Sequence, residues 1–361
     1  MNNHTEEHLI YAVILAGGKG ERFWPRSRKH LPKQLLNIID TKTMVETTIE
    51  RISPLVPLDR IFIVTNEDIK KSLLSINLRI PSQNYLFEPI GRNTAPAIGL
   101  TAFNLSKIDN ESIIIVLPAD HHITEREAFL DCIKRAVDIS KRGYLVTFGI
   151  VPARPETGYG YIEMGEKICD GVCEVKKFKE KPSQKKASEF IKKGKFLWNS
   201  GIFVWRTKRI IEEFHHFQPE FSREMEMYIK IEDESKRKKV LREIYERGES
   251  ISIDYAIMEK ASRVAVVKAS FGWDDVGSWS ALERLLGKDK NGNTVVGDVI
   301  SLDTKDSIIV SERGVIGTIG VSNLVVVHTE DATLILPKER SQEVKEIVRR
   351  LSDHKNLEKY T

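Results

Sequence analysis

A glycine loop flanked by cations is the first stretch of this chain whose residue types and spacing could do chemistry. Leu15-Ala16-Gly17-Gly18-Lys19-Gly20-Glu21-Arg22 follows the apolar segment 9–15, and Pro32-Lys33-Gln34 closes the stretch. Glycine lets a backbone approach a phosphate closely and adopt positive φ, so successive N–H groups can point at an anion. Arg22 and Lys33 add mobile positive charge where a triphosphate would lie. The loop is not a P-loop, because no Lys-Ser or Lys-Thr follows the glycines at the required spacing. It also lacks the G-x-G-x-x-G of a dinucleotide fold. On residue types alone, a basic surface loop competes with the phosphate-binding reading.

Two acidic positions could hold a hard divalent cation. Asp120 follows the β-branched run 113–117, and Asp275 stands just before Val276-Gly277. Mg2+ prefers oxygen and usually takes one or two carboxylates together with substrate phosphates. Spacing leaves two alternatives open: Asp120 could cap a helix beginning near Thr124, and composition does not separate Asp274 from Asp275. His121 and His122 are adjacent and cannot easily turn both rings to one ion. Cys169 and Cys173 stand at C-x-x-x-C spacing with no second ligand pair, which falls short of a zinc site.

These groups need elements to position them. Segments 10–15, 61–65 and 113–117 are β-branched runs of strand length. Helical stretches at 44–52 and 94–106 lie between them, the second starting from Thr94 and Pro96 as a cap. Near-continuous apolar strands alternating with helices predict a mostly parallel α/β sheet covered on both faces. Ligands on such sheets bind at the carboxyl ends of the strands. The glycine loop and Asp120 both follow predicted strands directly, so they should share one crevice. Residues 222–247 read as one long, charged, peripheral helix. After Asn291-Gly292 the pattern changes to short apolar runs at 295–296, 299–300, 308–310, 315–316, 324–327 and 334–336, which suggests a small β-solenoid or sheet. A final amphipathic helix carries Val344, Ile347, Val348 and Leu351 on one face. The expected domains are 1–287, catalytic, and 288–361, small and β-rich, with packing or dimerisation as the second one's role.

With 361 residues the chain is too long for one compact core. A net charge of +4 is too small to argue for nucleic acid. No apolar run approaches the ~20 residues that span a bilayer, and the polar N-terminus carries no signal-peptide pattern. Three cysteines give no disulfide framework, which suits a reducing cytoplasm.

Further blocks follow the glycine loop in order. They are Trp24-Pro25, Pro32-Lys33-Gln34, Glu88-Pro89-Ile90-Gly91-Arg92-Asn93-Thr94-Ala95-Pro96, Pro118-Ala119-Asp120-His121 and Thr157-Gly158-Tyr159-Gly160-Tyr161-Ile162. After them come Glu180-Lys181-Pro182, Trp198-Asn199-Ser200-Gly201, Ser252-Ile253-Asp254-Tyr255-Ala256 and Trp273-Asp274-Asp275-Val276-Gly277-Ser278-Trp279. Together they resemble the sugar-phosphate nucleotidyltransferases, most closely the mannose-1-phosphate guanylyltransferases. The resemblance implies a Rossmann-like, GT-A-like sheet and transfer of GMP from GTP to mannose 1-phosphate, giving GDP-mannose and pyrophosphate with Mg2+. A cytoplasmic homodimer that binds neither nucleic acid nor membrane is expected. The isomerase domain carried by some members is not expected here.

Site roles follow from the same resemblance. Leu15, Ala16, Gly17, Gly18, Gly20, Arg22, Lys33, Glu88, Asn93 and Thr94 would bind the nucleotide. Gly160, Glu180, Lys181 and Asn199 would bind the sugar phosphate. Asp120 and Asp275 would hold the metal, the second because it directly precedes the Val-Gly pair. Arg22, Lys33, Asp120, Lys181 and Asp275 would carry catalysis. The guanine edge presents two donors side by side, for which a carboxylate is the natural partner, and the block beginning at Glu88 is placed near the base. Turn formation remains an alternative for Asn199 and for 157–160.

Overall fold

The computed structural model describes residues 8–361. The N-terminal stretch expected to lack a signal peptide lies, His8 apart, outside the described residues. Strands β1 (Ile10–Leu15), β2 (Ile61–Asn66), β3 (Tyr85–Glu88) and β4 (Ile113–Pro118) run parallel in the order β3-β2-β1-β4. Alternate side chains of β1 take opposite faces. Ala12 and Ile14 pack with Val45, Ile49 and Ile52 of the helix Met44–Ile52. Tyr11 and Val13 pack with Ala97, Ile98 and Ala102 of the helix Thr94–Ser106. Each enclosed Val or Ile contributes ~1.5–3 kcal/mol relative to exposure, which is why these runs read as strands buried on both sides.

The second half of the sheet is mostly antiparallel. The strands that follow β4 in the chain are β5 (His122–Ile123), β6 (Leu145–Ile150), β7 (Tyr161–Cys169), β8 (Val172–Lys179), β9 (Phe196–Arg206), β10 (Val264–Ala269) and β11 (Trp273–Asp274). β9 lies antiparallel beside β4, and the sheet continues β9-β6-β10-β8-β7, with β6 and β10 parallel. β5 and β11 form a separate two-stranded ribbon.

Three local expectations are corrected. The cap of helix Thr94–Ser106 is Asn93, whose side-chain oxygen accepts from the Thr94 N–H at 2.9 Å. The Thr94 hydroxyl instead accepts from the Ile253 N–H, tying two distant blocks together. The stretch 222–247 is two helices, Pro219–Tyr228 and Glu234–Arg247, because the Asp233 side chain caps a new start at the Lys236 N–H. Asp120 caps nothing: the following helix begins only at Arg126.

Beyond the sheet, β12 (Thr294–Leu302), β13 (Ile308–Ile319) and β14 (Leu324–His328) stack parallel, and β15 (Thr333–Pro337) returns antiparallel. The runs expected as separate strands at 295–296 and 299–300 join into one, with a register shift at Gly297. The helix Val344–Asp353 buries Val344 and Val348, while Ile347 is 38% exposed. Val344 and Val348 share a core with Ile308, Val310 and Val325, and with Phe23, Trp24, Leu36 and Trp279 from the segments around the glycine loop and Asp275. No helix among the described residues is long and apolar enough to cross a membrane.

Candidate active site

Strand order alone lays the predicted groups along one line. Glu88 ends β3, the glycine loop follows β1, Asp120 follows β4 and Asn199 sits on β9. β1 and β4 are neighbours whose chains leave in different directions, the switch point at which α/β sheets open a crevice. Here the Ala119 N–H donates to the Leu15 carbonyl at 3.0 Å. A cleft of about 390 Å³ opens along this edge. Leu15, Gly17, Gly18, Glu88, Asn93 and Thr94 line it toward β3, Asp120 and Asp275 line its middle, and Gly160, Glu180 and Asn199 line it toward β9.

Five predicted residues do not line this cleft. Ala16 lies beneath it, its carbonyl accepting from Gln34 Nε2 at 2.6 Å and from the Thr65 hydroxyl at 2.8 Å. Gly20, at φ 63°, backs onto Lys33, leaving no room for a Cβ. Arg22 is exposed and donates to Gln342 Oε1 at 2.7 Å, away from the cleft. Lys33 is buried at 4% exposure rather than mobile. Lys181 borders the site through Glu180, donating to its Oε1 at 2.6 Å, with its own backbone at φ 43°. Burial opposes that ammonium, but the Glu180 carboxylate holds its pKa above the usual lysine range.

Lys33 links the two acidic loops. Its Nζ donates to Asp120 Oδ2 and to the Asp275 carbonyl, each at 2.8 Å. Burial works against ionisation of Asp120, yet the Lys33 ammonium, with smaller help from His121, holds its carboxyl below the usual range. The β5–β11 ribbon supplies the alignment. It pairs Asp274 with His122, so one step further brings Asp275 opposite His121, next to Asp120.

The structure gives the paired aspartates 274 and 275 different surroundings. Asp274 takes a bidentate contact from Arg284, at 2.7 and 3.0 Å, and accepts from the Val276 N–H at 2.8 Å. Asp275 faces the cleft and accepts from the Tyr159 hydroxyl at 2.6 Å. Val276 is held at φ 48°, a costly conformation for a β-branched residue. Such strain clusters where surrounding structure over-determines a functional turn.

A second group of polar side chains lies toward β9. Thr147 Oγ1 donates to Asn199 Oδ1 at 2.8 Å, and Asn199 Nδ2 donates to Asp254 Oδ1 at 2.9 Å. The amide orientation is therefore fixed by two partners. Asp254 opens a π-helical turn, Asp254–Met258, of the kind often found at functional sites. Burial and the neighbouring Glu180 charge push its carboxyl up to about 7. Gly160 packs so closely that a Cβ there would stand 2.5 Å from Glu180 Oε2. At the other end Glu88 is 3% exposed, burial pushes its carboxyl up to about 8, and its Oε1 has no partner among the described residues.

Sequence reasoning assigned no role to Asp254, Tyr159 or Asn66, which also lines the cleft. Asn66 carried a usable signal, since it ends β2 at the same sheet edge as the glycine loop. Asp254 and Tyr159 gave none beyond membership of a motif, because their partners lie far along the chain.

The acidic pair suits a hard cation. Asp120 and Asp275 each have one oxygen engaged by a protein donor, Lys33 or Tyr159. No cage of three or more His, Cys, Asp or Glu side chains forms among the described residues. Mg2+ needs no such cage, since substrate phosphates complete its shell. His121 lines the cleft and accepts from Trp273 Nε1 at 3.1 Å, whereas His122 does not line it; both border a smaller cavity of about 130 Å³ beside Arg51 and Asp40.

The chain matches the nucleotidyl transferase family over residues 11–291 and a MannoseP isomerase/GMP-like beta-helix domain over residues 297–351. A mannose-1-phosphate guanylyltransferase from Klebsiella pneumoniae is 37% identical over 97% of this chain and 75% of its own length. One from Escherichia coli is 38% identical over 95% of this chain and 75% of its own length. A crystal structure from Thermus thermophilus, described as a mannose-1-phosphate geranyltransferase, has a TM-score of 0.87 at 38% identity, covering 95% of this chain and 99% of that one. The chain belongs to the nucleotidyl transferase family and is a nucleotidyltransferase, with mannose-1-phosphate guanylyltransferases as its relatives.

Proposed function

We infer that the chain transfers GMP from GTP to α-D-mannose 1-phosphate, releasing pyrophosphate and forming GDP-mannose, with Mg2+ required, to supply an activated mannosyl donor for glycan synthesis. The observation that carries the reading is a single cleft with a buried carboxylate at one end, Glu88, whose Oε1 lacks a partner among the described residues, and a carboxylate-amide cluster at the other. The first suits the two donors of a guanine edge. The second suits sugar hydroxyls, which both donate and accept. Relatives named mannose-1-phosphate guanylyltransferase support the same pairing of substrates.

The nucleophile is a phosphate monoester whose second pKa is near ~6, so it is already an anion at neutral pH. No side chain has to remove a proton, and rate must come from alignment and charge neutralisation. Gly17 and Gly18 line the cleft where backbone N–H groups can hold phosphate oxygens. Asp120 and Asp275 would hold the cation, which when bound supplies neutralising charge to the reacting phosphates. Lys33, placed between the two acidic loops, fixes their separation. Lys181 steers the sugar phosphate from beside Glu180. Arg22 reaches phosphate only by leaving Gln342. A cytoplasmic homodimer belongs to the same reading, and sedimentation equilibrium of the purified chain tests its assembly state.

The test is pyrophosphate release from GTP with mannose 1-phosphate or glucose 1-phosphate as acceptor, with Mg2+ and with chelator. Release with mannose 1-phosphate that is lost on chelation is the expected result. No release with either sugar, while GTP still binds, overturns the reading.

A further inference from the structure

Tyr159 stands in the loop between β6 and β7, and its hydroxyl donates to Asp275 Oδ1 at 2.6 Å across 116 residues of sequence. Its ring is held on two sides. Trp198 and Trp273 both meet it edge-on, with centroids 5.2 Å away in each case. Trp273 is itself fixed by donating to His121 Nδ1, beside Asp120. Ring packing and the hydrogen bond to Asp275 together hold the phenol against that carboxylate.

We propose that Tyr159 is a positioning residue for the cation site: it occupies one oxygen of Asp275 and so aims the other toward the cation shared with Asp120. The inference rests on Asp275 being a cation ligand, as in the proposed function. Outer partners that orient a ligating carboxylate typically change metal affinity by about 10–100-fold when removed. At the sugar-phosphate end the Tyr159 ring packs on Trp198 and the Tyr159 carbonyl accepts from the Lys181 N–H at 3.2 Å, and neither contact uses the hydroxyl. Removing the hydroxyl alone should thus separate cation affinity from sugar-phosphate affinity.

The experiment measures Mn2+ binding by electron paramagnetic resonance on the full chain, for wild type, Tyr159→Phe and Asp275→Asn. Phenylalanine keeps the ring packing, and an unchanged melting temperature verifies the fold. The expected result is Mn2+ affinity weakened about 10–100-fold in Tyr159→Phe. Its KM for mannose 1-phosphate stays unchanged, and excess Mg2+ restores part of its kcat, which loss of packing alone would not produce. Wild-type Mn2+ binding in Tyr159→Phe, with binding lost in Asp275→Asn, overturns the proposal and leaves the proposed function standing. Wild-type binding in Asp275→Asn removes Asp275 from the cation site, and the proposal goes with it.

Discussion

The Lys33 ammonium donates to the Asp120 carboxylate at 2.8 Å, although 87 residues separate them. With its second bond to the Asp275 carbonyl, this lysine acts as a strut under the cleft rather than as a free cation at its mouth. Replacing it with methionine keeps most of the stem and removes the charge. Lys33→Met should lower kcat by about 100-fold, the scale of losing one preorganised electrostatic group. The KM for GTP should change little, because Lys33 does not line the cleft. Steady-state kinetics at saturating Mg2+ decide this, and an undiminished kcat would end the strut account.

On the proposed function, Glu88 should make nucleotide binding depend on pH. Its carboxyl is pushed up to about 8 by burial, whereas guanine's donors call for the ionised form. GTP affinity should rise as pH increases from 6 to 8.5, with proton release measurable by calorimetry in buffers of different ionisation enthalpy. Stability has the opposite slope. A raised carboxyl pKa means the folded state holds its proton more tightly, so that contribution is complete below about 4.3 and is lost as pH rises through about 8. Glu88→Gln should flatten both dependences and weaken the preference for GTP over UTP. A variant that kept the full preference would remove Glu88 from base recognition.

Asp254 carries a parallel expectation at the other end of the cleft. Its carboxyl, pushed up to about 7 by burial and by Glu180, contributes stability below about 3.9 that is lost as pH rises through 7. Asp254→Asn retains an acceptor for Asn199 Nδ2 and removes the charge facing Glu180. Its thermal melting point should exceed that of wild type at pH 8 and match it at pH 4. Its KM for mannose 1-phosphate should rise while its KM for GTP holds. Equal KM values for both substrates at pH 8 would show that Asp254 is only part of the scaffold.

Asp274 and Asp275 should separate by phenotype. Asp274→Asn breaks the bidentate contact with Arg284 and weakens the cap on Val276, costing about 1–3 kcal/mol of stability. Activity per folded molecule should remain measurable. Asp275→Asn should do the reverse, with near-wild-type melting and almost no turnover. Urea titrations alongside active-site-normalised rates test the pair, and the opposite pattern would exchange their roles.

Much of the frame was legible in the chain before folding. The helix Met44–Ile52 and the strands at 10–15 and 113–118 are written in local patterns. A run of Ile and Val buried on both faces needs no distant information to be recognised, and a glycine loop after such a run marks a sheet edge. The order of motif blocks likewise carried the family. Helix ends were less secure: Asn93 rather than Thr94 forms the cap, since a cap depends on a single side-chain oxygen.

What the tertiary structure alone decided is which charges meet. Arg22 and Lys33 look equivalent in sequence, yet one turns outward to Gln342 and the other inward to Asp120. Asp274 and Asp275 are neighbours of identical type, divided by whether Arg284 or Tyr159 reaches them. Asp254 enters the cleft because Asn199 lies beside it, 55 residues away along the chain. These contacts are set by strand order, by the register of the β5–β11 ribbon and by the depth of burial. None of these is a property of a short window of residues, so composition and spacing could name the chemistry while only the folded chain assigned the partners.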